Sequence, residues 1–260
     1  MNTIFKTKTT ISLYFFIVIF LLSCGKGTDI TPTQPKCRLS KIKIIPNGST
    51  DSWAIDFSYN SQGQLITYKN AYAYIFTTFE YDLKGNLIKA FEHYDDYANP
   101  QKLFAEYGCK YDNNGNLLEI STETKGYLST IGGILYFPVT VNSQKQVTSI
   151  KFASNSQIFE YDSKGNMIKT YDSRTPMNYS QYEFDDKKNP YQDLPWLFKY
   201  LYRGIFFDFG VNNGIIYRQV EPNRVPSDIV FKYEYNADGF PISSMGTGQF
   251  NTLQFEYKCE

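Results

Sequence analysis

Phe79-Glu80-Tyr81-Asp82-Leu83-Lys84-Gly85-Asn86-Leu87-Ile88 reads as a strand, a tight turn and a returning strand. Phe79 and Tyr81 share one face of the first strand, the period-2 spacing of a pleated surface. Asp82 accepts backbone N–H groups at the start of the turn, and Gly85 takes the left-handed conformation that closes it. The geometry implied is a type I turn through Leu83 and Lys84 with a G1 bulge at Gly85. In that register Tyr81 stands across from Leu87, and the two pack on one face.

The unit recurs. Clear copies run Tyr59 to Leu65 around Gly63, Tyr111 to Leu117 around Gly115, and Tyr161 to Met167 around Gly165. A further copy, Tyr235 to Phe240 around Gly239, loses the Asn and continues into Pro241. Val141 to Val147 and Phe184 to Pro190 keep the outline with Lys145 and Lys188 in the glycine position. Leu253 to Tyr257 looks like a half-repeat whose return strand is missing. The long interval from Phe184 to Tyr235 leaves room for a decayed hairpin around Phe206 to Ile216. Before it, Asn189-Pro190-Tyr191 opens a proline-bracketed aromatic segment. Leu197 to Phe209 is nearly all apolar and fits a short helix or a buried connector as well as a strand. The return strands, such as Leu87 to Phe91, do not alternate strictly.

These units predict an all-β fold, a long antiparallel meander of repeated hairpins with consecutive hairpins as neighbours. About 14 to 18 strands are expected, and a round barrel of that size would enclose an empty channel. A flattened barrel or packed double sheet fills space better. The strands show no clean lipid-facing band, so a transmembrane porin is not expected.

Composition agrees. Of 260 residues, 18% are aromatic, with 23 Tyr and 21 Phe, which suit pleated faces. Net charge is zero, and loss of Lys6 and Lys8 with the leader leaves −2, so no electrostatic footprint for nucleic acid exists. A single histidine, His93, argues against common zinc sites and most catalytic triads. No Gly-rich phosphate loop is present, and no cofactor or metal is expected.

The amino terminus carries an address. Residues 1–23 read as a signal peptide, with Lys6 and Lys8 ahead of the uncharged run Ile11 to Leu22. Leu21-Leu22-Ser23-Cys24-Gly25 resembles the lipobox of bacterial lipoproteins. That resemblance makes Cys24 the acylated first residue of the mature chain, held to the membrane by its lipid; ordinary secretion with an unrelated Cys24 is the alternative. Residues 24–36 form a flexible tether rich in Gly, Thr and Pro, and residues 37–260 the folded domain.

The Tyr-Asp-x-x-Gly-Asn-Leu unit resembles the YD repeats of Rhs-type toxin shells and teneurins. The whole layout is more similar to the uncharacterised lipoproteins of Bacteroides-like gut bacteria. Lipobox, Cys37-Arg38-Leu39, spaced hairpins, Asn189-Pro190-Tyr191 and the terminal Tyr257-Lys258-Cys259 carry that similarity. The resemblance implies a porin-like, many-stranded fold and a lipid-anchored place at the outer membrane, with surface or periplasmic face left open. It implies no catalytic residue.

Cys37 and Cys259 bracket the domain, and a disulfide between them would close the first strand onto the last; a Cys37–Cys109 pairing competes. Cys109 otherwise reads as a buried free thiol. Glu80, Glu160, Glu183, Glu234 and Glu256 alternate away from the aromatic face and read as a solvated surface. Glu92, Asp95 and Asp96 beside His93 match no calcium-loop spacing and read as a plain loop. Among the aromatic residues, Tyr72, Tyr74, Tyr97, Tyr191 and Trp196 lie in or near irregular segments and are the candidates for ligand contact. Three functions follow: a non-catalytic envelope protein binding a ligand such as a glycan, a structural lipoprotein contacting other envelope proteins, and a hydrolase of unrecognised site.

Overall fold

The computed structural model describes residues 37–96, 99–125, 133–202, 210–248 and 251–259. Their strands are β1 (Cys37–Ile45), β2 (Trp53–Tyr59), β3 (Leu65–Asn70), β4 (Ile75–Tyr81), β5 (Leu87–Asp96), β6 (Asn99–Tyr111), β7 (Leu117–Thr124) and β8 (Leu135–Val141). There follow β9 (Val147–Lys151), β10 (Ser156–Tyr161), β11 (Met167–Asp172), β12 (Tyr179–Lys188), β13 (Asn212–Val220), β14 (Ser227–Tyr235), β15 (Pro241–Gly246) and β16 (Thr252–Cys259). One helix, α1 (Trp196–Leu201), lies between β12 and β13. Each strand pairs antiparallel with its chain neighbours, and β16 pairs with β1, so the sixteen strands close a barrel in chain order. Of the two architectures the sequence leaves open, the closed barrel forms.

The repeat turns share one construction. In the copy at 82–86, the Asp82 N–H donates to the Asn86 carbonyl at 2.9 Å, and the Gly85 N–H donates to the Asp82 carbonyl at 3.0 Å. Asp82 Oδ1 accepts from the backbone of Lys84 and Asn86, and Oδ2 accepts from the Asn86 side chain at 2.8 Å. Asp112–Asn116 and Asp162–Asn166 repeat this set, and Asn60–Gln64 and Asn142–Gln146 reproduce it with amides. Gly85 has φ +87°, a conformation costly for a side chain. Lys145 adopts φ +62° in the same position, and its Nζ donates to the Asn114 carbonyl of the preceding turn at 2.8 Å.

The pairing explains the return strands. Tyr81 stands opposite Leu87 while Glu80 stands opposite Lys89, so Ile88 is the extra residue of a bulge. Leu87 and Ala90 both face inward as a result, and so do Leu65 and Tyr68, and Val147 and Ile150. Alternation is interrupted once per repeat, by the bulge.

The repeats also lock to one another. Tyr59, Tyr81, Tyr161 and Tyr257 donate their hydroxyls to the carbonyls of Leu39, Leu65, Val147 and Pro241 at 2.7–2.8 Å. Each bond ties the tyrosine of one repeat to the return strand of the repeat before it, holding the turns at one end of the barrel.

One expectation is corrected by the register. The return strand of the last half-repeat is not missing: it is β1, with Tyr257 opposite Leu39, and a disulfide joins Cys37 to Cys259 where a turn would stand. Of the stretch 206–216, read as room for a decayed hairpin, 212–216 belong to β13, which pairs with β12 and β14, and 206–209 lie outside the described residues. The Phe184 repeat begins its turn normally, with the Lys187 N–H on Asp185 Oδ1 at 2.8 Å. The chain then departs for the barrel interior and returns as β13, with Phe184 opposite Gly214. A turn of a few residues has been replaced by a long insertion, of which 189–202 and 210–211 are described.

That insertion fills the lumen. Phe198, fully buried, packs on Phe57, Tyr68 and Phe79 at ring separations of 4.9–6.1 Å. Trp196 and Tyr200 meet Phe159 on β10, and Tyr191 meets Phe255 on β16. These contacts lie on opposite walls. The empty channel expected of a round barrel is therefore occupied, and burial of a ring such as Phe198 contributes roughly 1.5–3 kcal/mol.

The outward positions carry ion pairs, with exposed apolar side chains such as Tyr136 and Met245 among them. Lys41–Asp56, Lys89–Glu106, Lys169–Glu160 and Arg218–Asp228 pair across strands at 2.7–3.9 Å. Ion pairs on the outside and aromatic rings within are the reverse of a lipid-facing barrel surface. Glu92 and His93 do not form a loop: both lie on β5, Glu92 facing the lumen at 8% exposure.

Candidate functional site

At the turn end, the repeats and the lumen insertion enclose a pocket of about 330 Å³. Its walls are one structural position used three times. Leu65, Leu87 and Leu117 are the return-strand leucines of successive repeats, and Tyr81 and Tyr111 are repeat tyrosines. The turns add Gly63, Gly85 and the side-chain amides of Gln64 and Asn86. The insertion supplies the facing wall through Asp193, Pro195, Trp196 and Leu197.

The indole of Trp196 is held firmly. It stacks on Tyr200 with centroids 5.2 Å apart and planes 13° from parallel, and meets Phe159 edge-on at 5.8 Å. Asn86 Nδ2 is committed to Asp82, and Gln64 Nε2 reaches the Gly85 carbonyl at 3.4 Å. Gly63 takes φ +78° with the Arg38 guanidinium packed where a Cβ would stand. Asp193 is exposed beside the pocket.

Burial sets the protonation states of the lining. Burial raises the Tyr81 and Tyr111 hydroxyls above their ordinary range, so both stay neutral. Cys109 is a free, half-buried thiol whose pKa is pushed up to about 12 by burial, and at neutral pH it is protonated. No histidine lines the pocket. Among the described residues no three of His, Cys, Asp and Glu are grouped as a metal site would require.

The structure separates the aromatic candidates. Trp196 lines the pocket, whereas Tyr191 is 4% exposed in the lumen and offers no surface to a ligand. Tyr72 and Tyr74 belong to the β3–β4 connection at the opposite end, exposed by 64% and 47%. Tyr97 and Cys24 lie outside the described residues. Gly63, Gly85, Gly115, Gly165 and Gly239 all have φ between +76° and +96° at their turns. The pocket tyrosines, Asn86 and Asp193 were not singled out in the sequence. The available signal was that all repeat turns must share one end, next to the irregular segment beginning at Asn189.

A second polar group lies deeper in the lumen. The Tyr202 hydroxyl donates to Glu92 Oε2 at 2.7 Å and lies 2.7 Å from Thr77 Oγ1. Burial raises the Glu92 carboxyl above its usual range, opposed by the Tyr202 hydrogen bond. This group anchors the end of α1 to β4 and β5.

No protein-family model matches the chain, and no curated protein does. Among solved structures, the fold is similar to a porin-like protein from Bacteroides uniformis, with a TM-score of 0.52 and 11% identity over 85% of this chain and 98% of that one. The chain therefore has a porin-like fold. The Tc holotoxin pore of Photorhabdus luminescens aligns with 76% of this chain and 12% of its own at 16% identity. Its TM-score of 0.33 carries no argument.

Proposed function

We propose that the protein is a non-catalytic, lipid-anchored envelope protein that binds a small polar ligand, a saccharide, in the pocket between the repeat turns and Trp196. The observation that carries this reading is the pocket lining: a fixed indole, neutral tyrosines, side-chain amides and one carboxylate around about 330 Å³. That mixture of an apolar face with convergent hydrogen-bonding groups suits a ligand bearing both C–H faces and hydroxyls. The protonated Cys109 and the single carboxylate of the lining, Asp193, do not supply the paired carboxylates or the activated nucleophile that a hydrolase would use.

The resemblance of the Cys24 segment to a lipobox supports a lipid anchor, and the porin-like likeness supports an outer-membrane setting. The charged outer wall supports a barrel that stands in water and reaches the membrane through its lipid.

A glycan array tests the ligand. Binding by the wild-type protein that is lost in Trp196→Ala supports the pocket. An array with no signal, together with a co-purified envelope protein, favours the structural reading instead.

A further inference from the structure

The end of the barrel opposite the pocket carries a different arrangement. Trp53, at the start of β2, is half-buried against the core, and Tyr72 stacks on its outer face with centroids 4.2 Å apart and planes 20° from parallel. The outer side of Tyr72 faces water, at 64% exposure. Core, indole and phenol thus form a stack that ends on an open ring.

The loop presenting that ring is built rigidly. Asn70, 3% exposed, accepts the N–H groups of both Tyr72 and Ala73 on its Oδ1 at 3.1 Å. Its Nδ2 donates to the Tyr68 hydroxyl at 3.2 Å, and the Ala71 N–H donates to the Ala54 carbonyl at 3.2 Å. Tyr74 follows with φ +54°, a left-handed conformation that residues with a side chain rarely adopt. A buried asparagine and a strained tyrosine hold two large rings outward on a four-residue connection. Strain of that kind persists where the surroundings over-determine it, and such places cluster at sites of recognition. A tyrosine held so loses little conformational freedom on binding.

We infer that Trp53 and Tyr72 form a second binding site, which takes the apolar face of a pyranose ring in a neutral oligosaccharide. Two observations choose this occupant. The platform is one or two rings wide, far below the roughly 800 Å² per partner of a stable protein interface. A stacked nucleobase would need a basic groove for its backbone, and the chain has no net positive charge. The site is independent of the pocket, which lies beyond the full length of the strands.

The chain has two tryptophans, one at each end, so the sites can be read separately. In Trp196→Phe the remaining indole is Trp53. This protein is titrated with cellohexaose, laminarihexaose, xylohexaose and mannohexaose through the millimolar range while its emission is recorded. The expected result is a saturable change with at least one of the four, kept in the added Tyr72→Phe variant and weakened about five- to tenfold in Tyr72→Ala. Tyr72 is exposed, and unchanged melting of both variants establishes that the barrel is intact. No saturable change with any probe, or equal affinity in Tyr72→Ala, overturns the inference. Neither outcome bears on the pocket, whose indole is absent from this protein.

Discussion

Tyr257 faces Leu39 across the junction of β16 and β1, at the station where Tyr81 faces Leu87 and Tyr111 faces Leu117. The two ends of the chain therefore compose one more repeat, cut open at its turn. The Cys37–Cys259 bond closes the gap, with Cα atoms 3.9 Å apart at a sequence separation of 222.

The seam is expected to depend on that bond. Reduction, or Cys37→Ser, frees the ends of both terminal strands and costs about 2–5 kcal/mol. For a domain of this size the midpoint falls by about 5–15 °C. Melting with and without reductant measures it, and a reduced protein that melts at the oxidised temperature contradicts the role assigned to the bond.

The tyrosine ladder makes a finer prediction. Tyr81→Phe keeps the ring and removes the hydroxyl that donates to Leu65 at 2.8 Å. The loss is expected to cost about 1 kcal/mol, since a partly buried carbonyl is left without its donor. Tyr72→Phe, at an exposed ring, changes denaturant midpoints by less than about 0.5 kcal/mol.

The lumen insertion should carry a large share of stability. Phe198→Ala removes a fully buried ring that touches three strands and is expected to cost about 3–5 kcal/mol. Urea denaturation reads the loss. A cost under about 1 kcal/mol would show that the barrel does not lean on its plug.

Two kinds of carboxyl set the pH profile. The Glu92 pKa is raised in the folded state by burial, so its native form holds a proton that the unfolded chain releases earlier. Its contribution is fully present below the ordinary glutamate pKa and is lost as pH rises through the folded value. Glu92→Gln should therefore raise stability at pH 7 and change little at pH 4. Asp82 and Asp112 behave oppositely: hydrogen bonds from Asn86 and Asn116 lower their pKa values. Their contribution is present above the ordinary aspartate range and is lost as pH falls through the lowered values. Melting temperature across pH 3–9, compared between wild type and Glu92→Gln, checks both limbs.

The hairpins were legible in the sequence because each turn is a local device: Asp82, Gly85 and Asn86 specify their turn without help from elsewhere. The opposition of Tyr81 and Leu87 followed from it. What stayed hidden was non-local. Cys37 and Cys259 pointed to the closure of the first strand onto the last, with a Cys37–Cys109 pairing in competition, but the register that sets Leu39 opposite Tyr257 was not read, because a repeat split between the first and last strands has no turn. The Phe184 repeat carries the start of a turn signature, but not the fact that its insertion enters the lumen. That is decided by the space a sixteen-stranded ring leaves unfilled. Glu92 was misplaced because an acidic run beside a histidine looks like a loop, and only pairing with β4 and β6 carries β5 through it. The pocket needed both facts at once, the shared turn end and the plug.

The most direct test of the binding account uses Trp53→Phe, in which Trp196 is the remaining indole, titrated with the same four hexasaccharides and their monosaccharides while emission is followed. The account predicts a saturable change with at least one sugar, weakened about tenfold when Asp193→Ala is added. Emission that stays flat with every sugar, in a protein whose melting shows it folded, contradicts a saccharide site at the turn end.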